Sequence, residues 1–419
     1  MERLVITGGA KLSGEVEVSG SKNAALPILM GCVLAKSPVT LSNIPHLKDV
    51  TTSLQLLATL GAQIMIDERM NITVDASELK DFTAPFALVK SMRASILVMG
   101  PLLARFGEAH VALPGGCAIG SRPVDIHIKG MEAMGADIRI EDGFIHAKAK
   151  RLQGADILMD KVTVTGTENL LMAAVLAEGV THLRNAACEP EVTDLAIFLT
   201  KMGAKITGIG TDHLVIKGVD ELNGVDYRVI PDRIEAGTYL AAAAVTGSTI
   251  TVSNVEPVHL KAVLAKFIEA GCDISTSERS IKIDCRDRQL NPVNVETQPY
   301  PGFPTDMQAQ FLVMNLLASG PGAIRETIFE NRFMHVSELT KMGAHIKVEG
   351  NLAVTPGQDR LSGVTVKATD LRASACLILA ALVAEGETFV EQIYHIDRGY
   401  ELIEEKFHRL GANIQRLSH

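Results

Sequence analysis

The 419-residue chain predicts an α/β fold of two similar domains, with buried helices inside and sheets outside, on three observations. A Gly-Ala or Gly-Cys pair closes a helix-like pattern six times, at Gly61, Gly135, Gly203, Gly271, Gly343 and Gly411, spaced 68 to 74 residues apart. Upstream of each pair lies a segment apolar nearly all round: NAALPILMGCVLA, ASILVMGPLLA, ENLLMAAVLA, AGTYLAAAAV, AQFLVMNLLA and ASACLILAALVA. A helix without a polar face has to be buried on every side. Downstream of each glycine the residues alternate as in a strand. Several copies add a turn and a return strand, as in DIRIE-DG-FIHAK, where Asp142-Gly143 suits a hairpin.

In order, each unit reads as a buried helix, a short strand such as SPVTLSNI, STITVSNV or GETFVEQI, an amphipathic helix, and a hairpin. The amphipathic helix stops at its glycine because that residue takes the left-handed conformation just past a helix end at little cost. Six units make two groups of three. The competing arrangement, six unrelated βα units in one doubly wound domain, does not account for the regular spacing or the repeated (Met/Leu)-Gly-Ala text. DYRVIPDRIEAG, near residue 230, follows the third unit and its Pro-Asp marks a turn. The strand-like opening, LVITGGAKLSGEVEVSGSKNAAL, has no counterpart at the other end of the sequence.

Composition narrows the partners. With 40 Lys+Arg against 49 Asp+Glu, a net charge of −9 and only 4% aromatic residues, the chain lacks the basic footprint and aromatic platform of a nucleic-acid binder. Its apolar runs fall short of the roughly 20 residues that cross a bilayer, and the acidic Glu2 does not fit a signal peptide, so a cytoplasmic protein without a membrane span is expected. Six cysteines without CxxC spacing argue against a disulfide scaffold or a structural zinc site.

Four places carry candidate chemistry. In SGSKNAALP, Lys22 and Asn23 open an apolar helix, where a lysine meets the positive end of the helix dipole and is unfavourable unless an anion is shared. In ALPGGCAIGSRPVD, three glycines let backbone approach a ligand, and Cys117 has the mobile, cation-bearing setting of a reactive thiol. Cys32, Cys376 and Cys272 read as small core residues, whereas Cys188 and Cys285 read as incidental residues in polar surroundings. In YPGFPTDMQAQ, Asp306 opens a buried helix, a position where a plain N-cap is the commonest role. Finally, Arg93, Arg372 and Arg398 offer planar forks for phosphate or carboxylate, and KSMRAS and TDLRAS open equivalent buried helices in different halves.

Taken together, SGSKNAALP, LPGGCAIGSRPVD, VTVTGTENLLMAA, PDRIEAGT, PTDMQAQ, ENRFMHV, TDLRASA and IDRGYE resemble the enolpyruvyl transferases that act on UDP-N-acetylglucosamine, over essentially the whole chain. The resemblance implies an inside-out α/β barrel pair with three βαβαββ units in each half. It implies a first domain over residues 22–229 and a discontinuous second domain of residues 1–21 and 230–419. It also implies transfer of the enolpyruvyl group of phosphoenolpyruvate to the 3′-hydroxyl of the sugar nucleotide, releasing phosphate through a tetrahedral adduct, with no metal and no organic cofactor.

By the same resemblance, Cys117 is the acid that protonates phosphoenolpyruvate and the target of the epoxide fosfomycin, and Asp306 accepts the hydroxyl proton. Lys22, Arg122 and Arg398 hold the phosphate and carboxylate of phosphoenolpyruvate. Asn23, Arg93, the run Arg122, Pro123, Val124, Asp125 and Ile126, the run Lys161, Val162, Thr163 and Val164, and Asp306, Ile328, Asp370 and Arg372 match substrate-binding positions. These residues come from both halves, so closure on the sugar nucleotide is the expected first step, with the glycine loop as a lid. Two other readings compete. The related transferase of aromatic amino acid synthesis has a serine where Asn23 follows Lys22 and lacks the cysteine loop. A catalytically silent sugar-nucleotide-binding relative would have lost at least one of Lys22, Cys117, Asp306 and Arg398. One departure stands out: Cys188 occupies a segment, NAACEPEVTDL, in which the family often has an arginine.

Overall fold

The repeat glycines act as helix stops in the structure, a computed structural model that describes residues 2–114, 124–358 and 360–418. All six have φ between 91° and 116°. At Gly61 the backbone N–H donates to Ala58 and that of Ala62 donates to Leu57, which satisfies the last carbonyls of the helix Lys48–Leu60. The same two bonds recur at Gly203 and at Gly343. The hairpin at Asp142-Gly143 has positive φ at both residues, as its tight two-residue turn requires, and joins Asp137–Glu141 to Phe144–Lys148.

The described residues form two compact units, one of residues 20–114 and 124–230, the other of residues 2–19 and 231–418. In the first, three inner helices carry the apolar segments: Lys22–Gly31, Met99–Phe106 and Val164–Ala174. The middle one is preceded by a 3₁₀ stretch, Arg93–Val98, so that ASILVMGPLLA enters its helix through tighter turns. In the second unit the inner helices are Arg233–Thr246, Gln308–Leu317 and Ala375–Val383. Residues 375 to 381 are wholly inaccessible, which is why the helix needs no polar face.

Among the described residues, six four-stranded sheets surround these helices, three in each unit. Each has one parallel and two antiparallel pairings. Thr83–Ala84, for example, runs parallel to Glu108–Ala112, which pairs antiparallel with Phe144–Lys148 and through it with Asp137–Glu141. The sheet around Val39–Ser42 closes its unit cyclically, because its parallel neighbour is the distant Asp226–Arg228. In the other unit the opening residues supply strands: Glu15–Glu17 runs parallel to Thr249–Ser253, and Arg3–Thr7 lies between Glu387–Glu391 and Asn413–Leu417. The last repeat thus obtains its return strand from the start of the chain. This is the inside-out α/β arrangement that the repeats predict.

One cysteine reading is corrected. Cys285 was expected in polar surroundings, but it continues the inward alternation of Ile281 and Ile283, is 1% exposed and stands opposite Cys272 across the hairpin. Among the described residues, no helix is long and apolar enough to cross a membrane.

Candidate active site

In the unit of residues 20–230, three candidate segments open inner helices. Ser21 caps the first, its side-chain oxygen accepting from the Ala24 N–H, so Lys22 is the first helical residue. The Lys22 side chain is buried against the buried Asp49, with Nζ 2.9 Å from Oδ2. Asp49 lies in the first turn of Lys48–Leu60 and supplies a negative charge where Lys22 meets a positive helix end. Asn23, next in line, is half-buried. Arg93 starts the 3₁₀ stretch and is also half-buried. Val164 starts the third inner helix, which Thr163 caps by accepting from Gly166. Lys161 and Val162, just before, are exposed.

His127 ties two of these segments together. Asp125 and Ile126 open the helix Asp125–Ala133, with Val124 at its cap; Asp125 is exposed and the other two are half-buried. His127 behind them is buried, and its Nδ1 lies 2.9 Å from Nδ2 of Asn169, an amide that must donate. Burial, reinforced by the Arg93 charge and opposed by Asp125, pushes its pKa down to about 4, so the ring is neutral at pH 7. Asn169 also donates to the Ile96 carbonyl and accepts from the Gly100 N–H. A network of neutral polar groups therefore ties the 3₁₀ stretch that Arg93 opens and the helix that Asp125 opens to the third inner helix. Within that helix, burial together with the charges of Glu191 and Glu189 pushes the Glu168 carboxyl well above the usual carboxylate range.

In the other unit, Asp306 lies in the 3₁₀ turn Thr305–Met307 that leads into Gln308–Leu317. It caps neither helix by side chain. Its Oδ1 instead lies 2.7 Å from Nη1 of Arg332, a buried guanidinium that also donates to Thr305 Oγ1 and sits 3.4 Å from Asp370 Oδ2. Burial would lower the Arg332 pKa, but Asp370 and Asp306 outweigh it and the pKa rises. Burial alone would likewise raise that of Asp370; the Arg332 charge and the N–H groups of Ala373 and Arg372 bring it below the usual carboxylate value.

Arg332 and Asp49 were not singled out in the sequence. The signal for Arg332 was its place in ENRFMHV, whereas nothing in the local pattern marks Asp49. Ile328 is half-buried, and its N–H donates to the buried Glu326, which also accepts from Thr305. The same carboxylate thus fixes Ile328 and the residue before Asp306.

Arg372 is enclosed. It is 1% exposed, donates to the Gly399 carbonyl and to Asp232 Oδ2 at 2.6 Å each, and lies over the Tyr400 ring. Asp232 in turn caps Arg233–Thr246 by accepting from Ile234 and Glu235. Arg372 therefore anchors the carbonyl next to Arg398, which is half-buried and close enough to lower the pKa of His395 after burial has done most of that work. Cys117, Arg122 and Pro123 lie outside the described residues. Among the described residues, no group of three or more His, Cys, Asp or Glu side chains is placed to hold a metal ion.

Comparison with known proteins places this scaffold. The EPSP synthase (3-phosphoshikimate 1-carboxyvinyltransferase) family pattern matches residues 6–407. A UDP-N-acetylglucosamine 1-carboxyvinyltransferase from Hydrogenovibrio crunogenus is 69% identical over 416 residues, covering 99% of this chain and 100% of that protein. The chain belongs to this carboxyvinyltransferase family. Another member, the UDP-N-acetylglucosamine 1-carboxyvinyltransferase of Coxiella burnetii, is 59% identical over 419 residues, covering 100% of this chain and 96% of its own length. The solved structure of the enolpyruvyl transferase NikO from Streptomyces tendae matches with a TM-score of 0.90 at 26% identity, covering 100% of this chain and 99% of that one. EPSP synthase from Acinetobacter baumannii shares the fold, at a TM-score of 0.76 and 18% identity over the whole of both chains.

Proposed function

We propose that this member of the carboxyvinyltransferase family transfers the enolpyruvyl group of phosphoenolpyruvate to the 3′-hydroxyl of UDP-N-acetylglucosamine and releases phosphate. The observation that carries the reading is the 69% identity, over nearly the full length of both chains, to a UDP-N-acetylglucosamine 1-carboxyvinyltransferase. Asn23 directly after Lys22 supports this acceptor over shikimate 3-phosphate. As an enzyme of two small anionic substrates without a membrane-spanning helix among its described residues, it works in the cytoplasm. Residues 22–229 on one side, and 1–21 with 230–419 on the other, act as its two domains.

The reaction is an addition followed by an elimination. The sugar oxygen attacks C2 of phosphoenolpyruvate and loses its proton to Asp306, while Cys117 protonates C3. A thiol with a pKa near about 8.5 is mostly protonated at neutral pH and serves as an acid directly. The tetrahedral adduct then returns one C3 proton to the Cys117 thiolate and expels phosphate, which takes up the proton held by Asp306, leaving the enol ether. Arg332 orients the Asp306 carboxylate through its 2.7 Å contact. Lys22, Arg122 and Arg398 neutralise the phosphate and carboxylate as charge builds on the leaving group. Asn23, Arg93, the 122–126 and 161–164 segments, Ile328 and Asp370 bind the nucleotide sugar, and Arg372 serves through the segment holding Arg398.

The deciding experiment measures phosphate release from phosphoenolpyruvate with UDP-N-acetylglucosamine or with shikimate 3-phosphate, each with and without fosfomycin pretreatment. Release with the sugar nucleotide alone, abolished by pretreatment, is expected. Release with neither acceptor, from folded protein that still binds the sugar nucleotide, would favour the silent relative.

A further inference from the structure

On the outward face of the sheet formed by Thr83–Ala84, Glu108–Ala112, Phe144–Lys148 and Asp137–Glu141, two imidazoles face each other. His110 and His146 are directly opposite in register, and their Nδ1 atoms lie 2.7 Å apart. Their chain neighbours Ala109, Val111, Ile145 and Ala147 are fully buried on the other face, so the strands hold both rings in register from below. Two bare ring nitrogens cannot approach so closely, so one proton is shared between them. The other nitrogen of His110, Nε2, lies 2.7 Å from Glu108 Oε1, and a carboxylate can only accept. In the neutral pair, His110 therefore carries its proton on Nε2 and turns its Nδ1 lone pair toward His146.

We propose that His110 and His146 form a two-histidine site for a transition-metal dication of the imidazole-preferring kind, with Zn²⁺ as its representative. The metal takes the place of the shared proton. His146 moves its ring proton from Nδ1 to Nε2, so a neutral pair releases no net proton and presents two lone pairs. Zinc-nitrogen bonds of about 2.0–2.1 Å at a tetrahedral centre separate the nitrogens by about 3.3 Å, about 0.6 Å wider than the 2.7 Å at which they stand. Small ring rotations supply that opening. Glu108 then fixes the His110 tautomer from behind, as a carboxylate behind a metal-bound histidine does. Water fills the remaining positions, and Lys148, 3.4 Å from the same Glu108 oxygen, tempers the carboxylate without occupying the site.

A second histidine pair is less suited. His182 Nδ1 and His213 Nε2 are 2.9 Å apart, but Arg184 stands opposite His213 in register, and its fork already holds the nearby Asp156. Asp156 is thus held by the guanidinium and does not back either ring as Glu108 backs His110. At the first pair Arg139 stands opposite His146 in the same way, 70% exposed with Asp137 at 3.6 Å, so both pairs have an arginine neighbour and the carboxylate on His110 is what distinguishes them.

The test titrates the full chain with Zn²⁺ in chelator-free buffer and follows calorimetric heat together with site-resolved histidine ring resonances, so that uptake by thiols elsewhere does not count. One equivalent is expected to move the His110 and His146 signals. His146→Gln and His110→Gln should each weaken this binding at least tenfold, Glu108→Gln should weaken it by about 10–100-fold, and His213→Gln should leave it unchanged. No shift of the two rings up to millimolar Zn²⁺, undiminished binding in His146→Gln, or loss in His213→Gln instead would each overturn the proposal. Should a glutamine variant fail to fold, the wild-type ring shifts decide alone.

Discussion

Replacing Arg332 with methionine tests whether its guanidinium holds the candidate base in place. The side chain is 4% exposed and stands between Asp306 and Asp370, themselves 22% and 6% exposed. Breaking a buried ion pair by removing one partner costs about 3–5 kcal/mol. Asp370 becomes a buried charge without its cation while the partly exposed Asp306 keeps access to water, so the lower part of that range, about 3–4 kcal/mol, applies. For a unit of roughly 200 residues this lowers Tm by about 6–16 °C.

The loss depends on pH with a definite sign. In the wild type the Asp370 pKa is depressed by Arg332, so its stabilisation is present above the unfolded value of about 3.9 and vanishes only as pH falls through the folded value. Without Arg332, burial dominates and raises that pKa, so the variant loses stability as pH climbs above about 3.9 toward the new value. The gap between wild type and Arg332→Met therefore widens from pH 5 to pH 7.5. Thermal and urea unfolding at both pH values measure it, with Arg332→Lys expected in between because it restores the charge without the fork. In steady-state assays kcat should fall, since Asp306 loses its orienting contact. An equal Tm loss at both pH values, or a loss below about 1 kcal/mol, would refute the reasoning.

Four further outcomes are expected. Glu168→Gln should gain stability relative to the wild type between pH 5 and pH 8, because the raised carboxyl pKa makes stability drain away as pH rises above about 4.3 and the amide removes that ionisation; urea midpoints at the two pH values decide, and a difference that does not move in the variant's favour refutes it. Gly100→Ala should destabilise by about 1–3 kcal/mol despite the better helix former, since a Cβ there would lie 2.4 Å from the Asn169 carbonyl oxygen, which is backbone and cannot yield. Cys117→Asp should keep turnover and escape fosfomycin, whereas Cys117→Ala should lose turnover; normal turnover by the alanine variant in the phosphate-release assay removes the acid role. Arg398→Ala should raise KM for phosphoenolpyruvate far more than the Kd of the sugar nucleotide, and equal losses would undo that division.

Much of the fold was legible because its signals are local. A glycine past a helix end, an all-apolar helix and an Asp-Gly turn are each decided by a few adjacent residues, and repetition made each of them visible six times or in several copies. Lys22, Asp306 and Arg398 were legible for a related reason: a charged residue beside a glycine, a proline turn or an apolar helix end is conspicuous in the text. Their partners were not. Asp49 lies 27 positions from Lys22, Arg332 lies 26 from Asp306, and Asp232 lies 140 from Arg372. Cys285 was misplaced because its flanking Asp284 and Arg286 are polar, while the strand's alternation turns the thiol inward.

By itself the sequence determined the repeating unit, the burial of its inner helices, the family and the residue types available for the chemistry, all properties of short windows and their order. Only the tertiary structure decided which charges neutralise one another, that Arg3–Thr7 completes a sheet whose other strands lie more than 350 residues away, and that His110 meets His146 ring to ring. Pairing across such distances depends on how whole units close, and the energy that selects it belongs to the packed chain, where a buried charge or an unpaired strand must find its partner.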